Sequence, residues 1–433
     1  MSVPGSVPAS GPAAVLVPDA AHIGRADPFD LGGLGPGAAI DVVDYHTAGE
    51  PFRIVPGVWP EDDRGLEDWP PTRRPGADGG PGGDGGPGAD GGPGGDGGPT
   101  VLDRRAWIRD HRDGVRRLCV NEPRGHADMY GAWVVPPDGI GPDGDAVFGA
   151  VFFHKDGYST ACGHGAIALA TWAVESGRVP VEPESDVSFA IDVPSGRVRV
   201  RAKVRGGLVR SVAFRNVPAW VAATGLAVET SLGQVVVDVS YGGAFYASAR
   251  AGDLGLSVRP DHLDQLMAVG REIKWALNSH PSVRHPEDDR LSGMYGAIWW
   301  EDLPGGADSA GRGGGIGQMV QRNVTIFADG EVDRSPCGSG TSARLALLAW
   351  EGRLAEAGAG AARPPAPPAE LRHLSIVGTA FTGRVLGPGP AIETPAGPRP
   401  TYLTEVEGRA SQTGRATLVL GPDDELGLGF QLR

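Results

Sequence analysis

The sequence predicts an α/β chain organised as two paired halves, and three observations carry that prediction. The turn Ser159-Thr-Ala-Cys162-Gly-His-Gly165 runs straight into Ala166-Ile-Ala-Leu-Ala-Thr-Trp172. A second turn, Asp333-Arg-Ser-Pro-Cys337-Gly-Ser-Gly340-Thr-Ser, runs into Ala343-Arg-Leu-Ala-Leu-Leu-Ala-Trp350 in the same way. Both read Cys-Gly-x-Gly followed by strong helix formers, and two such turns point to two halves facing a common site. Short apolar, β-branched runs on either side of these helices read as strands. At 433 residues the chain has room for two domains of ordinary size.

Taken in order, residues 1–37 are Ala/Gly/Pro-rich and read as a flexible tail. Ala39–Asp44 and Phe52–Val55 read as strands around a turn punctuated by Gly49 and Pro51. Residues 76–99 repeat Gly-Ala/Gly-Asp-Gly-Gly-Pro four times. Glycine falls at every third position, yet proline never follows a triplet glycine directly, so the run reads as a surface insert rather than collagen. Residues 103–118 are predicted helical. Ala132–Val135 and Ala146–Phe153 follow as strands, and Val187–Val204 with Leu208–Phe214 read as hairpins. Gln234–Tyr241 is a buried strand running into a glycine turn, and Asp261 is predicted to cap a helix ending near Leu277. Gly296–Trp300 and Asn323–Phe327 complete the strands before Cys337, and Thr417–Leu420 and Leu428–Leu432 are strand-like. The first half spans 38–205 and carries Cys162, and the second spans 206–433 and carries Cys337. Further Gly/Pro-rich inserts fall at 305–317 and 357–369, and the C-terminal strands are free to return to the first half.

Composition narrows the function. A net charge of −14 argues against nucleic acid or an anionic membrane as partner, without excluding a small anion in a locally positive site. Gly (70) and Pro (39) are abundant but concentrated in the inserts. Three cysteines without metal-ligand spacing fit a reducing compartment, and the default location is the cytoplasm. No run of about 18 apolar residues is present to span a membrane. The glycines at 311–317 lack the strand-turn-helix context of a nucleotide fingerprint, no Walker motif is present, and no cluster has zinc spacing.

Cys162 and Cys337 each stand where an extended segment turns into a helix, and Pro336 marks that change directly. Free N–H groups and the positive dipole end favour a thiolate there. A thiolate is a competent base and a thiol its conjugate acid, so a thiol on each side of a carbon is what inversion of that carbon requires. Cys119, in Arg-Leu-Cys-Val, reads as an inert small hydrophobe. His46, Glu50, Arg124, His126 and Asp128 read as stabilisers of polar turns ahead of a place in the site, and His154 and Tyr158 as structural.

Cys162-Gly-His-Gly, Asp333-Arg-Ser-Pro-Cys-Gly-Ser-Gly-Thr-Ser-Ala, Glu122-Pro-Arg-Gly-His and His46-Thr-Ala-Gly-Glu-Pro together resemble the proline racemase family. That family also holds hydroxyproline 2-epimerases and trans-3-hydroxy-L-proline dehydratases. The resemblance covers residues 38–433 apart from the inserts. It implies pseudo-symmetric halves, each a curved mixed sheet wrapped around a central helix as in diaminopimelate epimerase-like proteins, with the active site in the cleft between them. It implies no cofactor and no metal, a small imino acid (proline or hydroxyproline) as substrate, and leaves room for a homodimer. By the same resemblance Cys162 and Cys337 are the two bases. The amides of Gly163, His164, Gly338 and Ser339 bind the substrate carboxylate, and His164 and Asp333 contact its nitrogen.

Two reactions then compete, with a catalytically dead binding protein on the same scaffold as a distant third. A racemase or epimerase needs both thiols. A 3-hydroxyproline dehydratase needs one base, and in that branch the residue matching position 337 is typically Thr. This chain has Cys337, which favours inversion. Tyr241–Ala247 and Glu122–Ala132 are worded more like the dehydratase branch. The base constrains the reaction more directly than the scaffold does, so inversion is the preferred reading.

Overall fold

Twenty strands and five α-helices form among the residues that the computed structural model describes, which are 34–57, 99–138, 146–303, 318–355, 369–395 and 397–432. Of the tail and the three inserts, only Leu34–Gly37, Pro99 and Ala369 fall within that range. The first half, counted past the expected boundary at 205 because β8 pairs with β7, contributes β1 (Ala39–Thr47), β2 (Glu50–Val55), β3 (Tyr130–Val135), β4 (Ala146–His154), β5 (Gly157–Tyr158), β6 (Ser185–Val193), β7 (Gly196–Arg205) and β8 (Leu208–Arg215). The second contributes β9 (Ala219–Thr230), β10 (Gly233–Tyr241), β11 (Phe245–Arg250), β12 (Met294–Asp302), β13 (Gln318–Phe327) and β14 (Glu331–Asp333). After these come β15 (Glu370–Ser375), β16 (Ala380–Pro388), β17 (Ile392–Thr394), β18 (Gly397–Arg399), β19 (Thr401–Gly408) and β20 (Ala410–Val419). The helices are α1 (Val101–His111), α2 (Asp113–Val120), α3 (Gly163–Glu175), α4 (Leu263–Leu277) and α5 (Gly338–Trp350).

The two halves repeat one pairing scheme. In the first, β1–β2 is antiparallel, β2–β3 parallel, β3–β4 antiparallel, β4–β6 parallel, and β6–β7 and β7–β8 antiparallel. In the second, β10–β11 is antiparallel, β11–β12 parallel, β12–β13 antiparallel, β13–β15 parallel, and β15–β16 and β16–β19 antiparallel. The short β5 and β14 add to β4 and β13 in the same sense and lead to the two Cys turns. Strand β9 pairs with β10 and with β19, which closes the second sheet on itself. Strand β19 also pairs with β8, and β20 crosses back to pair with β1. The sheet is therefore continuous between the halves, and mixed in sense throughout.

Each curved sheet encloses one helix, which explains the alanine in α3 and α5. A helix surrounded by strands must be apolar on every side. It must also be thin, and Ala166, Ala168, Ala170 and Ala173 on α3, with Ala343 and Ala346 on α5, are all buried. The other helices lie outside. Helix α4 packs its Leu266, Val269 and Ile273 face on β12 and β13, and Trp299 donates its indole N–H to the Leu266 carbonyl at 2.8 Å. Among the described residues no helix is long and apolar enough to cross a membrane.

Several boundaries differ from those predicted. The helix expected over 103–118 starts earlier, because Thr100 and Asp103 form a reciprocal cap, and it breaks at Arg112, whose φ of −138° is not helical. Asp261 does not cap α4. It sits inside a 3₁₀ turn opened by Pro260, and His262 precedes the helix instead. Leu428–Leu432 forms no strand, only an isolated bridge between Phe430 and Glu122. Strands β9, β15, β16 and β19 had not been expected. A four-residue repeat had also escaped notice: Met129-Tyr-Gly-Ala132 enters β3, and Met294-Tyr-Gly-Ala297 lies at the matching place on β12.

The glycine in each copy of that repeat is set by close packing. A β-carbon on Gly131 would stand 2.5 Å from the Arg53 carbonyl oxygen, and one on Gly296 would stand 2.7 Å from the Ile326 carbonyl oxygen. Gly131→Ala must therefore push two paired strands apart, and an overpacking cost of roughly 1–3 kcal/mol is expected. Urea unfolding should show a lower midpoint with an unchanged slope. An unchanged midpoint would show that the strands separate freely.

Candidate active site

The N-termini of α3 and α5 meet head to head. A β-carbon on Gly163 would lie 2.5 Å from the Gly338 backbone, and one on Gly338 would lie 2.6 Å from the Gly163 backbone. The first glycine of each Cys-Gly-x-Gly turn is thus what lets two helix ends touch. The second glycine serves the cysteine. A β-carbon on Gly165 or Gly340 would stand 2.8 Å from the sulfur of Cys162 or Cys337 respectively. The Gly165 N–H donates to Cys162 Sγ at 3.2 Å, whereas Cys337 accepts no such cap bond and the Gly340 N–H only pulls its pKa down. Both cysteines occupy the N-cap position. The first two N–H groups of each helix, on Gly163, His164, Gly338 and Ser339, have no intrahelical acceptor in an α-helix. The Ser339 nitrogen lies 2.5 Å from a β-carbon placed on Gly163, and the His164 nitrogen 2.9 Å from one placed on Gly338, so the first backbone nitrogens of both helices stand at the contact.

Cys337 has a φ of 58° and a ψ of 104°, a backbone that L-residues rarely adopt. The segment before it over-determines that geometry. Asp333 Oδ1 accepts the Ser335 N–H at 2.8 Å, Ser335 Oγ accepts the Cys337 N–H at 3.1 Å, and Thr341 Oγ1 donates to the Pro336 carbonyl. The Asp-x-Ser-x-Cys spacing is this relay of turns. Such strain is typical of functional positions.

The two thiols stand in unlike surroundings. Both ring nitrogens of His164 lie 3.5 Å from Cys162 Sγ, and its Nδ1 lies 3.8 Å from Asp333 Oδ2. Burial lowers the pKa of His164 and Asp333 opposes this only partly, so the ring is a neutral imidazole at neutral pH. On the other side, Ser339 Oγ and the Tyr246 hydroxyl are 2.7 Å apart, and that hydroxyl lies 3.8 Å from Cys337 Sγ. Burial pushes both thiols up. For Cys162 the Gly165 N–H pulls down, while Asp333, Cys337 and Glu50 push further up. For Cys337 Asp333 adds to burial, and Thr325, the Gly340 N–H and Tyr246 work against it. The helix-end geometry expected to favour thiolates is present, and desolvation outweighs it, with no cation among the groups that act most on the sulfurs within the described residues.

All seven predicted residues, Cys162, Gly163, His164, Asp333, Gly338, Ser339 and Cys337, lie at this junction. Others were missed or set aside. Tyr246 had no signal beyond its place after the Gly242-Gly243 turn. Tyr130 and Tyr295, the tyrosines of the repeat, meet hydroxyl to hydroxyl at 3.1 Å beside the two thiols. Glu50 and Asp128, read as turn stabilisers, hold the Asp333 segment from the first half. Asp128 accepts the Val332 N–H and pairs with Arg334 at 2.7 Å, and Glu50 Oε2 accepts the Arg334 N–H at 2.7 Å. Arg124 pairs with Asp424 at the surface, away from the thiols. Cys119 is enclosed on α2, and burial pushes its thiol up to about 12. His154 is buried, and its pKa is held near 3 by desolvation and neighbouring cations.

Glu50 is fully buried with Oε1 unpartnered, and burial together with the Asp333 charge raises its pKa well above 4.5. The unfolded chain releases this proton near 4.5 and the folded chain holds it to higher pH. Rising pH therefore favours unfolding across that window. Glu50→Gln, which mimics the neutral acid, should remove this part of the stability loss, so its Tm should gain on the wild type as pH rises from about 4.5. Parallel Tm profiles for the two proteins would show Glu50 to be ionised in the fold.

Comparison with known proteins identifies the family. The family model for proline racemase matches residues 89–431. The chain is 37% identical over 397 residues to the 3-hydroxyproline 2-epimerase of Burkholderia multivorans, covering 91% of this chain and 98% of that one. It is equally identical, over the same length and coverage, to the trans-3-hydroxy-L-proline dehydratase of Azospirillum brasilense. Among solved structures, a hydroxyproline epimerase from Agrobacterium vitis with bound trans-4-hydroxy-L-proline superimposes with a TM-score of 0.70. Identity is 25%, covering 91% of this chain and 96% of that one. A doubled Cys-Gly-x-Gly turn, two helix ends in contact and similarity across nine-tenths of its length place this chain in the proline racemase family of enzymes.

Proposed function

We propose that the protein inverts the α-carbon of proline or a hydroxyproline by proton transfer between two thiols, with Cys162 and Cys337 as the acid–base pair. The observation that carries this reading is the head-to-head contact of α3 and α5 with a thiol at each end. A substrate carboxylate received by the N–H groups of Gly163, His164, Gly338 and Ser339 faces two positive helix ends, which also stabilise the charge that spreads onto it as the α-proton leaves. The α-carbon then lies between the sulfurs. One thiolate takes the α-proton, the electron pair delocalises into the carboxylate, and the opposite thiol returns a proton to the other face.

The buried thiols need help to ionise, and the substrate supplies it. Asp333 raises both of them, and a substrate ammonium beside Asp333 and His164 neutralises that charge. Cys337 also raises Cys162, so ionising one sulfur disfavours ionising the other. A single thiolate facing a thiol is the state that inversion uses. Because burial sets both thiols above their ordinary range, kcat/KM should climb with pH on the alkaline side of neutrality.

Dehydration of trans-3-hydroxy-L-proline is the second reading, supported by relatives of equal similarity that bear that name. Cys337→Thr separates the two. Threonine neither ionises near neutral pH nor matches a thiol as an acid, so inversion should fall by roughly 10²–10⁴-fold. One-sided exchange of the α-hydrogen in D2O should persist through Cys162 for the enantiomer whose α-hydrogen faces that sulfur. If the wild type instead eliminates water from the 3-hydroxy compound, gives no inverted product from any L-imino acid, and tolerates Cys337→Thr, the inversion reading is wrong.

A further inference from the structure

Beside the thiols, and sharing none of the seven predicted site residues, lies a cavity of about 190 Å³ walled by both halves of the chain. Arg105, from α1, and Lys274, from α4, line it from opposite halves, with Asn278, Ser292 and Gly293 at its partly exposed rim. Its floor is His154, Ser159, Thr160 and Tyr295, and no carboxylate lines it. Among the described residues neither cation forms an ion pair, although Asp156, Asp329 and Glu331 act on Lys274 from further off. Arg105 donates its Nε and one terminal N–H to the Tyr158 carbonyl, a neutral acceptor. The carboxylates that act on Lys274 are engaged elsewhere: Glu331 with Lys155 at 2.5 Å, Asp329 with Arg271 at 3.0 Å, and Asp156 with the Asp329 N–H at 2.9 Å.

The floor leads to the thiols. Ser159 and Thr160 stand two or three residues before Cys162, and Ser159 Oγ bonds the Tyr130 hydroxyl. Tyr295 belongs to both spaces. It lines the cavity, bonds Tyr130, and packs in the small cluster that contains Cys337 and Tyr246. Charge is therefore arranged in order along one path: cations at the rim, neutral hydroxyls on the floor, two helix N-termini beyond the tyrosine partition.

We propose that this cavity is a receiving station for the anionic group of the substrate, in which Arg105 and Lys274 capture a small carboxylate before it passes Tyr295 to the thiols. What passes through it rests on the function proposed above, whereas carboxylate capture does not. An imino acid carries an ammonium beside its carboxylate and no net charge, so the two cations act on it as a dipole and draw its carboxylate end inward first. The cations act on encounter and not on bond breaking.

Two measurements test this. In the first, Lys274→Met and the pair Arg105→Gln/Lys274→Met are assayed on L-proline and the L-hydroxyprolines, following inversion and dehydration together. The double variant should lose roughly 10-fold or more in kcat/KM, with kcat held within about twofold, and added salt should depress its kcat/KM less than that of the wild type. In the second, trace acetylation of lysines is read by mass spectrometry with acetate as the probe. Acetate should protect Lys274 in the wild type and leave Lys203, on the far face of β7, unchanged. Unaltered kcat/KM in the double variant, or no protection of Lys274, overturns the station. Protection by acetate in a protein that turns over no imino acid would uphold the station and sink the inversion reading instead.

Discussion

Two positive helix ends pressed together are electrostatically unfavourable by themselves, and the rest of the structure exists to hold them there. The contact between Gly163 and Gly338 leaves no room for a side chain on either residue. Each helix is gripped on all sides by its own curved sheet, so neither can slide back to relieve the repulsion. The dipole ends are each equivalent to roughly half a positive charge. An anion placed between them removes the repulsion and gains from both. The fold thus sets the packing of two curved sheets, the second closed on itself, against the mutual repulsion of two helix ends.

Pseudo-symmetry in the backbone supports asymmetry in the chemistry. The two halves repeat strand pairing, helix placement, the Cys-Gly-x-Gly turn and the Met-Tyr-Gly-Ala entry to a strand. Where they differ, they differ in side chains: His164 against Ser339, and an Asp333 relay that the first Cys turn lacks. Under the proposed inversion, a substrate with an ammonium on one side of its α-carbon and a hydroxyl elsewhere on its ring needs unlike neighbours. Meanwhile the carbon itself needs like ones. The duplicated scaffold meets the second need, and local substitutions meet the first.

The site was more legible in the sequence than the scaffold that supports it. Cys-Gly-x-Gly before an alanine-rich run announces a helix start, because both the propensity of alanine and the freedom of glycine are local properties. What the first glycine is for was not legible, since the atoms it makes room for belong to the other half. The break at Arg112 was hidden because no residue there forbids a helix, and the cap at Thr100 together with packing decides it. Strand β16 contains Gly383 and Gly387 and ends on Pro388, which read as loop residues by composition, and only pairing with β15 and β19 makes it a strand. Glu50 and Asp128 could be placed in polar turns from sequence. Their hold on the segment before Cys337 spans more than two hundred residues, and no short-range pattern encodes it.

Strand β20 pairs with β1 along its whole length, Ala39 opposite Val419 and Thr47 opposite Ala410. The first half is therefore finished by a strand that is synthesised long after β1. While the chain emerges from a ribosome at about 5–20 residues per second, β1 carries an unpaired, apolar-sided edge for the whole of that interval. The early half cannot settle before the late one, and the two must mature together. The chain is committed to a single folding event with a long exposed waiting period, in which binding by a chaperone or mispairing with a neighbouring nascent chain competes with completion.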